Sequence, residues 1–476
     1  SGTGIEKLVI PEGVTEIGAG AFSGSSLKEV VLPSTLTKIG DSAFSGTQLT
    51  RLTLPEGITE IGSSAFSGSS LKEVVLPRTL TQIGSSAFSR TQLKDITLPT
   101  SVTTIGSWAF GSIDSLSSVV IPKNLSNAYG AFEGSQHLKT IHFEEGITKI
   151  ADGLFQGSGI SSINIPETVT EIGSRAFSNT KITELYIPDS VTKLGGNSFG
   201  TDYSNDFNSL TKVSLPSELQ STSSPFYGQK NLKEVVLRGN WKTIPGGLFS
   251  GTGIEKLVIP EGVTEIGAGA FSGSSLKEVV LPSTLTKIGD SAFSGTQLTR
   301  LTLPEGITEI GSSAFSGSSL KEVVLPRTLT QIGSSAFSRT QLKDITLPTS
   351  VTTIGSWAFG SIDSLSSVVI PKNLSNAYGA FEGSQHLKTI HFEEGITKIA
   401  DGLFQGSGIS SINIPETVTE IGSRAFSNTK ITELYIPDSV TKLGGNSFGT
   451  DYSNDFNSLT KVSLPSELQS TSSPFY

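Results

Sequence analysis

The chain has 476 residues, no cysteine, no methionine and a formal net charge of −9. Without cysteine it can form no disulfide, no thiolate zinc site, no iron–sulfur cluster and no cysteine nucleophile. The acidic balance disfavours nucleic acid as a partner, because phosphate-binding surfaces need clustered Lys and Arg. No apolar run of about 18 residues is present, so we expect no membrane span in this segment.

Phenylalanine recurs at a nearly constant interval from the start of the chain. Phe22, Phe44 and Phe66 are 22 residues apart, and the interval continues with small changes for 21 recurrences in total. The pattern around them is Leu27-x-x-Val30-x-Leu32-Pro33-x-x-Leu36-x-x-Ile39-Gly40-x-x-Ala43-Phe44. A repeat of this length is typical of a solenoid, in which each repeat forms one coil.

Each part of the coil predicts a local structure. Val30–Leu32 alternates as a short strand, and Pro33 ends it because proline removes a ladder donor. Leu36–Ile39 predicts a second short extended segment with its ends pointing inward. Gly40 permits a tight turn, and Ala43–Phe44 is predicted to return to the core on a single helical turn. One coil cannot bury its apolar side chains alone, so stacked coils must share a core of Leu, Ile, Val and Phe.

The pattern resembles the BspA-type leucine-rich repeat of bacterial and protist surface proteins, and the resemblance covers essentially the whole chain. It implies a leucine-rich-repeat solenoid, mainly β and horseshoe-like, with a parallel sheet on one face. It also implies extracellular display at the cell surface and binding of protein or glycan. One departure is that Thr47, Ser69 and Thr91 stand where the family often has cysteine. If buried, these hydroxyls need backbone partners.

A second repeat operates on a larger scale. Residues 1–227 recur without change as residues 250–476, whereas Gly228–Phe249 occurs once. We therefore predict an eleven-coil unit over residues 1–249 and an identical unit lacking its last coil over 250–476, in one continuous solenoid. Neither end shows a polar cap, which predicts a window on a longer array, continued covalently or by end-to-end stacking. A fragment cut for expression is the alternative.

Motifs that carry catalysis or bind cofactors are not found, and we expect a non-enzymatic protein without a cofactor or metal. His137 and His142 are five residues apart and flank a strand, which does not match the zincin spacing. The string Gly18–Gly24 imitates a phosphate loop, but its last spacing is wrong and no long helix follows. In the longest coil, oxygen side chains alternate as in a calcium loop, without its central glycine or final glutamate. That loop carries Asp202, Ser204, Asp206 and Asn208.

The outward positions of the main strands are the predicted recognition surface. They begin with aliphatic and end with polar or aromatic residues: Val9, Val31, Thr53, Val75, Thr97, Val120, His142, Asn164, Tyr186, Ser214 and Val236. His142, Asn164 and Tyr186, with their copies His391, Asn413 and Tyr435, are the candidate partner-binding residues of this stripe. The alternative is that any exposed sheet favours β-branched residues.

Trp108 and its copy Trp357 are the remaining candidates. Trp108 replaces the serine of the aligned turns, so it can serve as an exposed anchor, although lateral packing over Ile113 explains it as well. A rank of threonines, including Thr15, Thr37 and Thr59, imitates an ice-binding face. Its neighbouring column of mixed charges instead indicates sheet stabilisation.

These patterns favour a structural and adhesive surface protein, part of a long rod or filament that presents a repeated face. Its expected partners are protein or glycan on a host or cell surface, or its own copies end to end. The alternative is a discrete receptor-like module that binds one protein or glycan ligand per unit. Substitution of His142 and Tyr186 separates the two possibilities.

Overall fold

The computed structural model describes residues 4–201, 209–220, 223–450, 458–471 and 473–475. Backbone contacts divide the chain into two compact units, Ser1–Gly239 and Asn240–Tyr476. Each unit is a parallel β-solenoid, as the repeat predicts. The sequence predicts a unit boundary after residue 249 because the duplicated segment begins again there. That boundary is defined by the sequence repeat and not by backbone contacts, and it stays a prediction.

The strands of each unit form two faces. In the first unit the long-strand face contains β1 Lys7–Val9, β3 Glu29–Val31, β5 Arg51–Thr53, β7 Glu73–Val75, β9 Asp95–Thr97, β11 Ser118–Ile121, β12 Thr140–Phe143, β15 Glu184–Tyr186, β17 Lys212–Leu215 and β18 Glu234–Leu237. Its short-strand face contains β2 Glu16–Ile17, β4 Lys38–Ile39, β6 Glu60–Ile61, β8 Gln82–Ile83, β10 Thr104–Ile105, β13 Lys149–Ile150, β14 Glu171–Ile172 and β16 Lys193–Leu194.

The second unit repeats this order. Its long-strand face contains β20 Lys256–Val258, β22 Glu278–Val280, β24 Arg300–Thr302, β26 Glu322–Val324, β28 Asp344–Thr346, β30 Ser367–Ile370, β31 Thr389–Phe392, β34 Glu433–Tyr435 and β36 Lys461–Ser463. Its short-strand face contains β19 Thr243–Ile244, β21 Glu265–Ile266, β23 Lys287–Ile288, β25 Glu309–Ile310, β27 Gln331–Ile332, β29 Thr353–Ile354, β32 Lys398–Ile399, β33 Glu420–Ile421, β35 Lys442–Leu443 and β37 Ser470–Thr471.

A stack of turns forms the third side of each coil, which we call the turn face. The described residues contain no helix, and the predicted single helical turn is a run of tight turns instead. The Ser45 N–H donates to the Ser42 carbonyl at 3.1 Å, whereas the Phe44 N–H donates to Ala65 of the next coil at 2.7 Å. Because alternate donors leave the coil, the backbone cannot continue as a helix. Ser42 and Gly46 accordingly have φ of 54° and 67°.

The core is a column of phenylalanine rings beneath the turn face. The Phe66 ring is fully buried and stacks on Phe44 at 5.4 Å and on Phe88 at 5.2 Å between centroids. Leu36 and Ile39 are also fully buried, which confirms that they point inward. Each coil therefore contributes its apolar side chains to one shared interior, and this interior is what makes the repeat stable.

The long-strand face of each unit is divided into several separate hydrogen-bonded sheets, whereas the short-strand face has fewer interruptions. In the first unit its hydrogen-bonded sheets are β1-β3, β5-β7, β9-β11-β12 and β15-β17-β18. Strands β7 and β9, which lie wholly within the described residues, are therefore not paired with each other. Val74, beside this split, is only half-buried although it points inward, whereas Leu52 in β5 is 6% exposed. The second unit has the same split between β26 and β28.

Candidate functional site

The predicted stripe lies on the outer side of the long-strand face. His142 in β12 is exposed, and Tyr186 in β15 is 50% exposed. Asn164 is exposed in the coil between them, in a segment that has no strand assignment. The copies His391, Asn413 and Tyr435 are exposed in the second unit as well.

Trp108 lies on the turn face and so belongs to a different surface from the stripe. Its side chain is 39% exposed, and its φ is 61°. The indole lies over Gly111, where a Cβ atom would stand only 2.8 Å from Trp108 Cε3. The indole is therefore both exposed, as an anchor would be, and held against the coil, as lateral packing would require. Trp357 repeats this arrangement, with the same exposure and φ.

Arg238 holds Tyr186 in place, a contact that the repeat pattern does not predict. The guanidinium carbon lies 4.1 Å from the Tyr186 ring centroid, a cation–π distance. Its Nη1 donates to Ser214 Oγ at 2.8 Å, and its Nη2 donates to the Ile187 carbonyl and to Asp189 Oδ1, both at 2.6 Å. One side chain thus ties together the coils of β15, β17 and β18.

Glu144 also connects three coils through one side chain, and we call Arg238 and Glu144 with their contacts the two clasps. Its carboxylate accepts hydrogen bonds from the Lys123 N–H at 3.0 Å and from Thr100 Oγ1, two coils away, at 2.7 Å. The Lys123 N–H and then the Thr100 hydroxyl lower the pKa of Glu144 below its ordinary value, because both stabilise the charged form. Glu393 makes the same contacts in the second unit, where its pKa is lowered as well.

Both clasps could have been found from one signal in the sequence. In most coils a proline follows the strand, whereas Glu144 and Arg238 occupy that position after β12 and β18. Each therefore has an N–H, which donates to Ile121 and Leu215 of the preceding coil at 2.9 Å. The missing proline extends the ladder and frees a charged side chain to reach back across the face.

The split between β7 and β9 contains a groove of about 970 Å³, which the repeat pattern does not predict. It runs along the aliphatic half of the stripe, past Val75, Thr97 and Val120, and ends near Glu144. Two hollows of about 560 and 390 Å³ occupy the same position in the second unit. The polar residues that line the groove of the first unit include Lys72, Glu73, Arg78, Lys94, Asp95 and Thr100.

The charges on the short-strand face pair between neighbouring coils. Lys149 and Lys193 approach Glu171 at 3.1 and 3.2 Å. Partial burial raises the pKa of Glu171, but the two ammonium groups outweigh it, and the net pKa lies below its ordinary value. The column of threonines beside these charges also forms hydrogen bonds between neighbouring coils, since Thr37 Oγ1 donates to the Thr15 carbonyl at 3.0 Å. These contacts fit the sheet-stabilising interpretation of that rank.

The structure bears on the predicted absence of a metal site, but not on the calcium-like loop. Among the described residues, no group of three or more His, Cys, Asp or Glu side chains is arranged to hold a metal ion. The calcium-like loop, Asp202, Ser204, Asp206 and Asn208, lies outside the described residues. Within the described part of the chain, no helix has the length and apolar character needed to cross a membrane.

The hydroxyls in place of the family's cysteines are buried, and only some have partners. Thr47 and Thr91 donate to the carbonyls of Phe44 and Phe88 at 2.9 and 2.8 Å. The Ser69 hydroxyl, which is equally buried, is without a hydrogen-bond partner among the described residues. Serine can make this bond too, since Ser407 Oγ donates to the Phe404 carbonyl at 2.7 Å, but the restricted χ1 rotamers of threonine favour it.

The coils, their phenylalanine column and the parallel long-strand face define a leucine-rich-repeat solenoid. The family model described as the BspA type leucine rich repeat region, six copies, matches residues 1–110, 90–206, 202–277, 264–378 and 375–476. The chain belongs to this family, which confirms the resemblance seen in its repeat. Among curated proteins no match is found.

Several solved structures are similar to this chain, and the first of them shows the same fold. A leucine-rich repeat protein from Bacteroides ovatus ATCC 8483 is 23% identical over 80% of this chain and 89% of that chain, with a TM-score of 0.50. A leucine rich cell surface protein from Faecalibacterium prausnitzii A2-165 is 24% identical over 82% and 88%, with a TM-score of 0.31. The leucine rich repeat protein of T. pallidum is 36% identical over 33% and 77%, with a TM-score of 0.29.

Proposed function

We propose that this chain is a non-enzymatic structural and adhesive protein, displayed outside the cell, that presents the same binding face in each of its two units. The observation that carries the proposal is the duplicated stripe. His142, Asn164 and Tyr186 are exposed in the first unit, and their identical copies are exposed in the second. Membership of the BspA-type family supports a surface role and protein binding.

Two identical faces on one chain favour adhesion through many weak contacts. When two linked sites bind the same surface, the second binding event is intramolecular, so avidity can exceed either affinity by about 10²–10⁴. In this proposal Tyr186 supplies a flat aromatic contact, while His142 and Asn164 supply hydrogen bonds. Trp108 and Trp357 add an anchor on the turn face.

Adhesion of coated beads tests the proposal. Beads carrying the full chain are applied to cultured epithelial cells, and the proportion that stays bound under flow is counted. We expect H142A/Y186A to weaken adhesion and the four-residue variant H142A/Y186A/H391A/Y435A to lower it at least tenfold. The matched control Q82A/Q331A, on the short-strand face, should adhere like wild type. Undiminished adhesion of the four-residue variant would contradict the proposal.

A discrete ligand-binding module is the second candidate, and the groove between β7 and β9 favours it. Such a module would bind one ligand per unit in that groove, with Arg78 and Lys94 among the polar contacts. Replacing Arg78 and Arg327 by Ala would then abolish adhesion, whereas the His and Tyr substitutions of the stripe would not.

A further inference from the structure

We propose that Trp108, Tyr129 and Arg175 form a platform on the turn face that binds a neutral oligosaccharide, and that Trp357, Tyr378 and Arg424 form its copy. The inference rests on the proposed function only in treating Trp108 as a contact residue. It concerns a different face from the stripe, so separate variants test the two.

The backbone places Trp108, Tyr129 and Arg175 on nearby coils of the turn face. The Trp108 N–H donates to the Gly130 carbonyl at 3.0 Å, and the Gly130 N–H donates to the Gly153 carbonyl at 2.8 Å. Tyr129 precedes Gly130, and Arg175 occupies the corresponding position in the coil after Gly153. Trp108 and Arg175 therefore flank two positions that carry no side chain, with Tyr129 between them.

The glycines seat the aromatic rings rigidly. A Cβ atom on Gly153 would lie 2.6 Å from Tyr129 Cδ2, so only glycine leaves room for that ring. Arg175 Nη1 donates to the Tyr129 hydroxyl at 2.9 Å and so fixes the far end of the ring. Tyr129 nevertheless remains 41% exposed. The second unit repeats both contacts, at 2.7 Å for Gly402 with Tyr378 and 2.8 Å for Arg424 with the Tyr378 hydroxyl.

Trp108 has a backbone conformation that tryptophan rarely adopts. The aligned positions in three preceding coils, Ser42, Ser64 and Ser86, have φ of 54–57° and carry small side chains, whereas Trp108 has φ of 61°. The turn requires positive φ at this position in every one of these coils, and Arg175 has it at 56°, so the unusual feature is a large aromatic side chain there. The indole packs against Gly111 and still leaves 39% of the side chain exposed, so one aromatic face is held in place and open to a ligand.

The surrounding groups indicate the class of ligand. Glu133 and Asp152 lie beside the platform with Arg175, so both signs of charge are present. Acceptors and donors around exposed aromatic faces suit a pyranose, whose hydroxyls hydrogen-bond while its C–H face stacks on a ring. The nearby turns carry serine and glycine, as at Ser85 and Ser107. A protein interface of ordinary size would need an apolar core there.

Titration with defined sugars tests the platform. Cellohexaose, maltohexaose and N-acetylchitohexaose are each added to the full chain up to about 10 mM, a range that detects millimolar affinity. Trp241 is fully buried, so a saturable change in tryptophan emission reports Trp108 and Trp357. We expect at least one sugar to bind, with calorimetry giving two sites per chain. The platform is overturned if none of the three binds.

Variants show where the sugar binds. W108N/W357N keeps a residue that tolerates positive φ, as Asn197 does at the aligned position with φ of 52°. We expect it to bind the sugar at least tenfold more weakly with an undiminished thermal midpoint, and Y129A/Y378A to give a second, independent loss. Y186A/Y435A should bind within twofold of wild type. Unchanged sugar binding by W108N/W357N would also overturn the inference, whereas failure of cell adhesion alone would overturn only the proposed function.

Discussion

The guanidinium carbon of Arg238 lies 4.1 Å from the ring centroid of Tyr186, although 52 positions separate the two residues in the chain. The same guanidinium bonds Asp189 and a backbone carbonyl of that coil. Tyr186 is therefore presented in one orientation, with half of its surface still exposed. Arg238 lies in the segment that occurs once, and Tyr435, the copy of Tyr186, is 58% exposed.

Replacing Arg238 by Lys should loosen this contact. A lysine ammonium lacks the planar fork that makes these three hydrogen bonds while stacking on the ring, so we expect the unit to lose about 1–2 kcal/mol of stability. Hydrogen exchange should accelerate at Ile187 and its neighbours, which the clasp covers. The matched control is R51K, whose ion pair with Glu73 is largely exposed and should contribute under about 0.5 kcal/mol. Equal effects of the two substitutions would count against the clasp.

Replacing Phe66 by Asp should open the solenoid locally. The substitution removes a ring stacked on both sides, a loss of about 3–5 kcal/mol, and adds a buried charge without a partner. Chemical denaturation should show an early transition for the coils around Phe66, since repeat stability is nearly additive. Val75→Asp, at a position 59% exposed, serves as the control and should melt like wild type. A normal melting curve for F66D would refute the inward column.

Replacing Ser69 and its copy Ser318 by Thr should stabilise the protein. Both serine hydroxyls are buried and unpartnered among the described residues, whereas Thr47 and Thr91 bond in the same column. We expect about 1 kcal/mol per site from the new hydrogen bond and the added buried methyl group. Ser69→Ala removes the unpartnered oxygen and should also not destabilise. Denaturant midpoints measure both effects, and a lower midpoint for the threonine variant would show that the column is too tight.

Stability should depend on pH through Glu144 and Glu393. Their pKa values are lowered in the folded state, so each adds stability above the unfolded pKa of about 4.3 and loses it as the pH falls through the folded pKa. We expect E144Q/E393Q to melt earlier than wild type at pH 7, with the difference shrinking below about pH 4.3. A difference in melting temperature that is the same at pH 7 and pH 3 would contradict this linkage.

Much of the fold could be predicted from the sequence because its information is local and periodic. The spacing of Phe44 and Phe66, the inward Leu36 and Ile39, and the second extended segment all follow from which side chains a coil must bury. Stacking such coils in parallel then repeats one local solution. The stripe on the long-strand face was accessible for the same reason, since alternate strand residues point outward.

Only the tertiary structure decided how neighbouring coils meet. The turns that carry Phe44 are not helical, because alternate N–H groups donate to carbonyls of the next coil rather than to carbonyls of the same coil. The missing proline marks Arg238 and Glu144 in the sequence, but their contacts with Tyr186 and Thr100 skip one coil, so the partners are not marked. The grouping of Tyr129 with Arg175 depends on glycines that leave room for a ring. Sequence thus determined what each coil buries, and packing between coils determined which exposed side chains meet, because that depends on register and free space in three dimensions.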